Sequence, residues 1–299
     1  MNTAPAAAAE PGGGDHADRD HDLRGTVALV SGGGRGVGRL LAVELASAGA
    51  AVGLIARSAA ELATVVGDVE GSGGTAAAAA CDLTDRRATA AAVAELAGKL
   101  GPANLLINNA GVSGPPGQLW DVSATEWWRA FEINIGGAFT LTRLVLPDMI
   151  AAGKGRVVNI TSYAGVYRWP LMSAYATSKA ALVKLTETLA AETRPFGISV
   201  FSADPGLLPI GLGEAALKSH AGPQTPEGLV FGWIRAQLES GRGADPAKAV
   251  RLILMLASGR CDRLSGRHLT AADDLDTLLE KIDSIERDDL HTLRLRRSG

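Results

Sequence analysis

The chain has 299 residues, 46% of them hydrophobic, and a formal net charge of −3. That length suits one large or two small domains, and the charge excludes a nucleic-acid footprint, which needs a basic patch. The two cysteines, Cys81 and Cys261, lie far apart without metal-ligand spacing and read as reduced thiols of a cytoplasmic protein.

Residues 1–24 are Ala, Gly, Asp and His with few large apolar side chains, which predicts a disordered tail. His16 and His21, with Asp15 and Asp20, could hold a metal loosely, but a solvated tail is the simpler reading and no metal site is expected. The alanine run follows no basic residue and is too weakly apolar for a signal-peptide core. From residue 26 the pattern alternates. Strands are predicted over 26–31, 51–56, 75–80, 103–107, 156–160, 198–202 and 267–270. Helices are predicted over 36–48, 59–69, 85–100, 125–152, 173–194 and 246–257. Strands alternating with helices imply a parallel sheet covered on both faces, and right-handed crossovers make it a doubly wound α/β Rossmann fold. The longest apolar runs are broken by Gly or charge, so none reads as a membrane span.

No composition break divides residues 25–270, so one catalytic domain is expected there. Residues 207–245 form a long connection punctuated by Gly and Pro, which reads as a substrate lid. Beyond 270, Leu275, Leu278, Leu279, Ile282 and Ile285 fall at helical spacing, predicting one amphipathic helix over 273–287. It either lies on the surface or docks on a neighbouring subunit. Leu293 to Arg296 alternate like a short edge strand.

The first strand runs into a glycine-rich turn, Ser31-Gly32-Gly33-Gly34-Arg35-Gly36-Val37-Gly38, which opens a helix. Backbone amides at such a turn point outward and the helix dipole favours negative charge, so a pyrophosphate fits. The spacing Gly32-x3-Gly36-x-Gly38 differs from the common Gly-x-Gly-x-x-Gly register. NAD sites usually place an acid at the end of the second strand to hold the ribose hydroxyls. Here that position is Ala56, followed by Arg57, with Arg35 inside the turn. Two guanidiniums can clamp a 2′-phosphate and no acid repels it, so NADP(H) is the expected coenzyme.

Further on, Tyr175 and Lys179 lie one helical turn apart, with Ser162 upstream. A free phenol titrates near 10. A neighbouring ammonium is expected to lower that value and make Tyr175 a proton donor. Ser162 is placed to hydrogen-bond the substrate oxygen.

With these residues in order, the chain resembles the short-chain dehydrogenase/reductase family over about residues 25–270. The nucleotide turn is similar, with Ser31 where Thr is commoner. Asp82-Leu83 resembles the family's adenine-binding pair. Asn108-Asn109-Ala110-Gly111 resembles its Asn-Asn-Ala-Gly motif, and Ser162 with Tyr175-x3-Lys179 its catalytic set. Pro205-Gly206 resembles the turn after its sixth strand. The resemblance implies a seven-stranded parallel sheet, a homodimer or homotetramer, Lys179 on the nicotinamide ribose, and Asn134 anchoring a water beside Lys179. Where the family often has Thr to bind the nicotinamide amide, this chain has Ile210. Backbone groups of Leu207 and Leu208 are expected to take that role. The family commonly ends soon after its last strand, whereas this chain continues through residues 271–299.

Tyr163, Tyr167 and Trp169 follow Ser162, and Phe231 and Trp233 lie in the lid. They could line a wide apolar pocket or pack in the core or an interface. The expected activity is NADPH-dependent reduction of a bulky, polycyclic or polyketide-like ketone, or oxidation of the matching alcohol. An epimerase, dehydratase or enoyl reductase could use the same Tyr and Lys, and a non-catalytic NADP sensor needs only the turn. The partner expected is a small-molecule substrate, with neither nucleic acid nor membrane.

Overall fold

Seven strands alternate with the helices that cover them in a computed structural model, which describes residues 21–295. The strands are β1 (Val27–Ser31), β2 (Ala51–Ala56), β3 (Thr75–Ala80), β4 (Leu105–Asn108), β5 (Gly155–Ile160), β6 (Ile198–Asp204) and β7 (His268–Thr270). They form one sheet in the order β3-β2-β1-β4-β5-β6-β7, with every neighbouring pair parallel. The chain builds outward from β1 to β3 and then crosses to β4 on the other side of β1. That crossing opens a crevice at the strands' carboxyl ends, where α/β proteins bind ligands.

Side-chain alternation divides the core in two. Ala28, Val30, Leu105, Ile107, Val158, Ile160, Phe201 and Ala203 face one side of the sheet. There they meet α1 (Gly36–Ser47), α2 (Ala59–Gly71) and α9 (Pro246–Ser258) through Leu41, Leu45, Leu62, Val65, Leu252 and Leu256. Leu29, Leu106, Val157, Ile198 and Val200 face the other side. Their partners come from α3 (Arg86–Leu100), α5 (Ala138–Ala152) and α6 (Ser173–Thr193). Both faces are covered, which is why the central strands read as apolar runs.

Three expectations need correction. First, residues 21–24 belong to the folded body. Leu23 is buried in the core and its N–H donates to Ala48 O at 2.8 Å. Residues 1–20, with His16, Asp15 and Asp20, lie outside the described residues. Secondly, the helix expected over 125–152 is α4 (Ala124–Phe131), a π-helical turn at Glu132–Gly137, and α5. By length and composition alone this stretch could cross a membrane, which the sequence reading missed. Its Leu141, Val145 and Met149 pack on the sheet face instead. Thirdly, the C-terminal helix breaks at Lys281 into α10 (Leu275–Glu280) and α11 (Ile282–Arg287).

Leu275, Ile282 and Ile285 are buried in this chain's own core, so this face of the extension packs on the domain that precedes it. No strand forms at 293–295; the backbone reaches the sheet edge earlier, where His268 N–H donates to His291 O at 2.8 Å. Glu187 then accepts from Leu293 N–H at 2.6 Å and pairs with Arg294. Truncating Ile285, which is 2% exposed, to Ala is expected to destabilise the fold by about 2–4 kcal/mol. Urea unfolding checks it: a surface-like cost below about 0.5 kcal/mol would mean the extension does not pack.

The connection expected to be a lid contains two helices, α7 (Leu212–Lys218) and α8 (Pro226–Glu239). Thr225 caps α8, and Pro226 occupies its first turn, where a missing N–H costs nothing.

Candidate active site

The functional side chains converge at the carboxyl ends of β1, β4, β5 and β6. Ser31 ends β1 and is buried. Its Oγ accepts from Asn109 N–H and Ala110 N–H, both at 3.1 Å. Asn109 Nδ2 donates back to Ser31 O at 2.9 Å and Gly32 O at 3.3 Å. The turns after β1 and β4 are thus stitched together. Gly38, in the first turn of α1, lies so close to Gly32 that a Cβ on it would be 2.1 Å from Gly32 O. Only glycine permits that approach. The result is a bare backbone cradle at a helix N-terminus, which fits a dinucleotide pyrophosphate. Val37 packs toward the core, while Arg35 and Arg57 are exposed beside the buried Gly34.

After β3, Asp82 accepts from Thr84 N–H at 3.0 Å and from Thr84 Oγ1 at 2.9 Å. These bonds hold its carboxyl below the usual range, the backbone N–H most of all. Leu83 is buried against the π-helical turn, where a Cβ on Gly137 would meet it at 3.2 Å.

That turn carries Asn134. Poor helix formers around it, Gly136 and Gly137, let the helix widen, as often happens at functional sites. Asn134 is fully buried and committed. Its Oδ1 accepts from Val112 N–H at 2.8 Å. Its Nδ2 donates to Val112 O at 3.0 Å and to Ser178 Oγ at 2.8 Å. Gly111 lies between Asn134 and Lys179: a Cβ there would be 3.3 Å from Asn134 Oδ1 and 3.4 Å from Lys179 Nζ.

Ser162 follows β5, and its Oγ accepts from Ala164 N–H at 3.2 Å. The turn presses on α6, for a Cβ on Gly165 would lie 2.8 Å from the Lys179 carbonyl carbon. Ser162 is thereby brought near Tyr175, whose phenolate form it favours. The Tyr175 ring packs edge-on to Trp169, centroids 6.1 Å apart. Lys179 Nζ sits 5.7 Å from the Tyr175 ring centre and donates to Ile160 O at 2.7 Å.

The electrostatics differ from expectation. Burial pushes the Tyr175 phenol up to about 12, against the Ser162 hydrogen bond, and the Asp204 charge adds to the rise. Burial pulls Lys179 down to about 8, and Asp204 opposes it. Both groups are thus drawn toward their neutral forms, because a desolvated charge is costly whichever sign it has. The Tyr175 value expected to fall beside Lys179 rises instead, because burial dominates.

A pH dependence follows. Below about pH 8 Lys179 is charged in folded and unfolded chains, and the fold bears the full desolvation cost. Between about 8 and 10.5 the folded chain has released the proton while the unfolded chain keeps it. The Lys179 contribution to stability therefore rises with pH across that window, by at most about 3 kcal/mol. Unfolding measured at pH 7 and pH 9.5 should show the rise in the parent and a smaller one in Lys179→Met.

Asp204 was not singled out from sequence, although it directly precedes Pro205-Gly206. It is buried and its Oδ1 accepts from Gly206 N–H at 2.8 Å. Its charge acts on Tyr175, Lys179 and His268. Ser178, next to Lys179, was also missed. Leu208 is buried, and the Leu207 carbonyl accepts from Ala244 N–H at 2.8 Å. Of the five aromatics, Trp169 meets Trp233 at 5.6 Å and joins Phe231 and Tyr175 in one cluster around Met172, Val230 and Ile234. Tyr163 and Tyr167 stack on each other at 5.2 Å and stay exposed.

A parallel sheet with this cradle and an embedded Ser/Tyr/Lys set defines an oxidoreductase of the Rossmann type. The chain belongs to the short-chain dehydrogenase family: the family model described as short chain dehydrogenase matches residues 26–216. A short chain dehydrogenase of Pseudocercospora fijiensis is 35% identical, aligned over 87% of this chain and 84% of that protein. A solved 7 alpha-hydroxysteroid dehydrogenase, complexed with NADH and 7-oxo glycochenodeoxycholic acid, superimposes with a TM-score of 0.73. It is 30% identical and the match covers 85% of this chain and 95% of that one. An actinorhodin polyketide ketoreductase variant with NADPH gives a TM-score of 0.75 at 27% identity, covering 82% and 95% of the two chains. Members of the family bind nicotinamide cofactors, and these two neighbours hold different ones.

Proposed function

We propose that this protein is an NADPH-preferring reductase of bulky apolar ketones, working in reverse as a secondary-alcohol dehydrogenase. The observation that carries the substrate class is the aromatic cluster: Trp169, Trp233 and Phe231 gathered with Tyr175. Two of these belong to α8, so the 207–245 segment is read as the wall or lid of the substrate site. Steroid and polyketide substrates of the two solved neighbours support a wide pocket.

The Ser31–Gly38 cradle would hold the pyrophosphate, Asp82 and Leu83 the adenine, and Asn109, Ala110 and Gly111 the adjoining ribose. Pro205, Gly206 and Leu208 would border the nicotinamide. Arg35 and Arg57 favour a 2′-phosphate. When bound, the nicotinamide supplies the hydride. Ser162 orients the substrate carbonyl by donating to its oxygen. Tyr175 passes its proton to that oxygen as charge develops there, and takes it back in the oxidation. Lys179 carries the positive charge that offsets the phenolate left behind. Asn134 fixes the Gly111–Val112 backbone beside Lys179 through its paired bonds to Val112.

Oxidation of NADPH and of NADH should be followed with purified protein and ketones graded in size. The reading expects higher kcat/KM with NADPH and with bulky ketones. Equal rates for a small polar ketone would sink the substrate class, and faster turnover with NADH would sink the coenzyme preference.

A further inference from the structure

The acid missing from the end of β2 arrives from the next helix. Ser58 caps α2, its Oγ accepting from Glu61 N–H at 3.2 Å, which fixes Glu61 in the first helical turn. That turn folds back over the nucleotide cradle. A Cβ built on Gly34 would lie 3.1 Å from Glu61 Cβ, 3.3 Å from Glu61 Oε2 and 3.7 Å from Ala56 Cβ. Glu61 and Ala56 therefore meet over the same buried glycine. Arg35 follows Gly34 and Arg57 follows Ala56 in the chain, so both basic residues leave the backbone beside the glycine that Glu61 covers. Among the described residues neither guanidinium closes an ion pair with that carboxylate, so it stays available.

We propose that Glu61 is a specificity-determining residue of the coenzyme site. Its carboxylate accepts hydrogen bonds from the adenosine ribose hydroxyls when the ligand is NADH, and it repels the 2′-phosphate when the ligand is NADPH. The two guanidiniums pull the other way, so the turn admits both coenzymes and Glu61 limits the preference for NADPH. The sequence register hid this: an acid at position 61 is five residues past the strand end where acids are sought, and only the fold of α2 over Gly34 returns it to the site. The inference rests on the coenzyme reading above for which end of the ligand lies here, but it concerns a ratio that can be measured whichever coenzyme the parent prefers.

The test is direct binding to the full-length protein, read from the fluorescence of NADPH and of NADH in separate titrations, without substrate. Glu61→Gln should raise the ratio of NADPH to NADH affinity at least fivefold, mostly by tightening NADPH. Glu61→Ala should raise it as well, and the Ser58 cap survives in both because it uses the backbone of residue 61. A ratio that stays within twofold of the parent in both variants would overturn the proposal. Glu214 serves as a control: it is the carboxylate on which the Arg35 charge acts, and Lys218 pairs with it. An equal rise in Glu214→Gln would make the effect one of general charge and overturn the assignment to Glu61. Tighter NADH than NADPH in the parent would end the NADPH reading and leave the Glu61 ratio to be judged by the same variants.

Discussion

Tyr175→Phe is expected to lower kcat for ketone reduction by about 10³-fold while leaving coenzyme affinity within about twofold. The substitution removes one oxygen and keeps the ring. Trp169 retains its edge contact, and the aromatic cluster around Met172 remains filled. What disappears is the proton that must reach the substrate oxygen as the carbonyl is reduced. No other phenol can replace it, because Tyr163 and Tyr167 stack together in the exposed turn after Ser162. Single-turnover kinetics with the coenzyme and a bulky ketone would report the loss. A decrease smaller than about tenfold would mean that the proton comes from elsewhere.

Gly38→Ala should have the other large effect, on binding rather than chemistry. A methyl at this position would sit 2.1 Å from Gly32 O and 2.5 Å from Asn109 Nδ2. Both atoms belong to the stitching between the turns after β1 and β4, and neither is the loose end of a long side chain. The turn must open. That should cost about 1–3 kcal/mol of stability, as overpacking does, and reduce coenzyme affinity by at least about 100-fold, which corresponds to about 2.7 kcal/mol. Calorimetric titration with NADPH and NADH checks the second figure. Unchanged affinity for both would place the coenzyme elsewhere.

Much of this was legible because each element carries its own local signal. The bounds of β2 and β3 match the reading to the residue: Gly49 and Ser58 lie either side of β2, and Gly73 and Gly74 lead into β3. The Ser/Tyr/Lys set needed only helical spacing and chain order. What escaped was whatever depends on how distant segments lie against each other. Glu61 returns to the nucleotide turn through the packing of α2, and Asp204 gains influence only because β6 ends beside the Tyr175–Lys179 pair. The π-helical turn at Asn134 leaves little mark in the sequence beyond two glycines. At the C-terminus, periodicity showed the apolar stripe of Leu275, Ile282 and Ile285. It could not show that the stripe closes on this chain's own core, nor that the backbone turns at Lys281.

Charge was the least legible property. Sequence spacing puts an ammonium one turn from a phenol and suggests an easily ionised tyrosine. Burial reverses the sign for Tyr175, which rises to about 12. Proton transfer from such a phenol requires the negative charge to appear only as the substrate oxygen takes the proton, with Ser162 and Lys179 in place.

The most direct test of the account is isotopic. The protein would be incubated with nicotinamide coenzyme deuterated at the reactive carbon and with a bulky ketone, and the product examined by NMR and mass spectrometry. The account predicts one deuterium on the new carbinol carbon, at a rate that collapses in Tyr175→Phe. An altered product carrying no deuterium, with the coenzyme left unoxidised, would contradict it and assign the same residues to epimerisation or elimination.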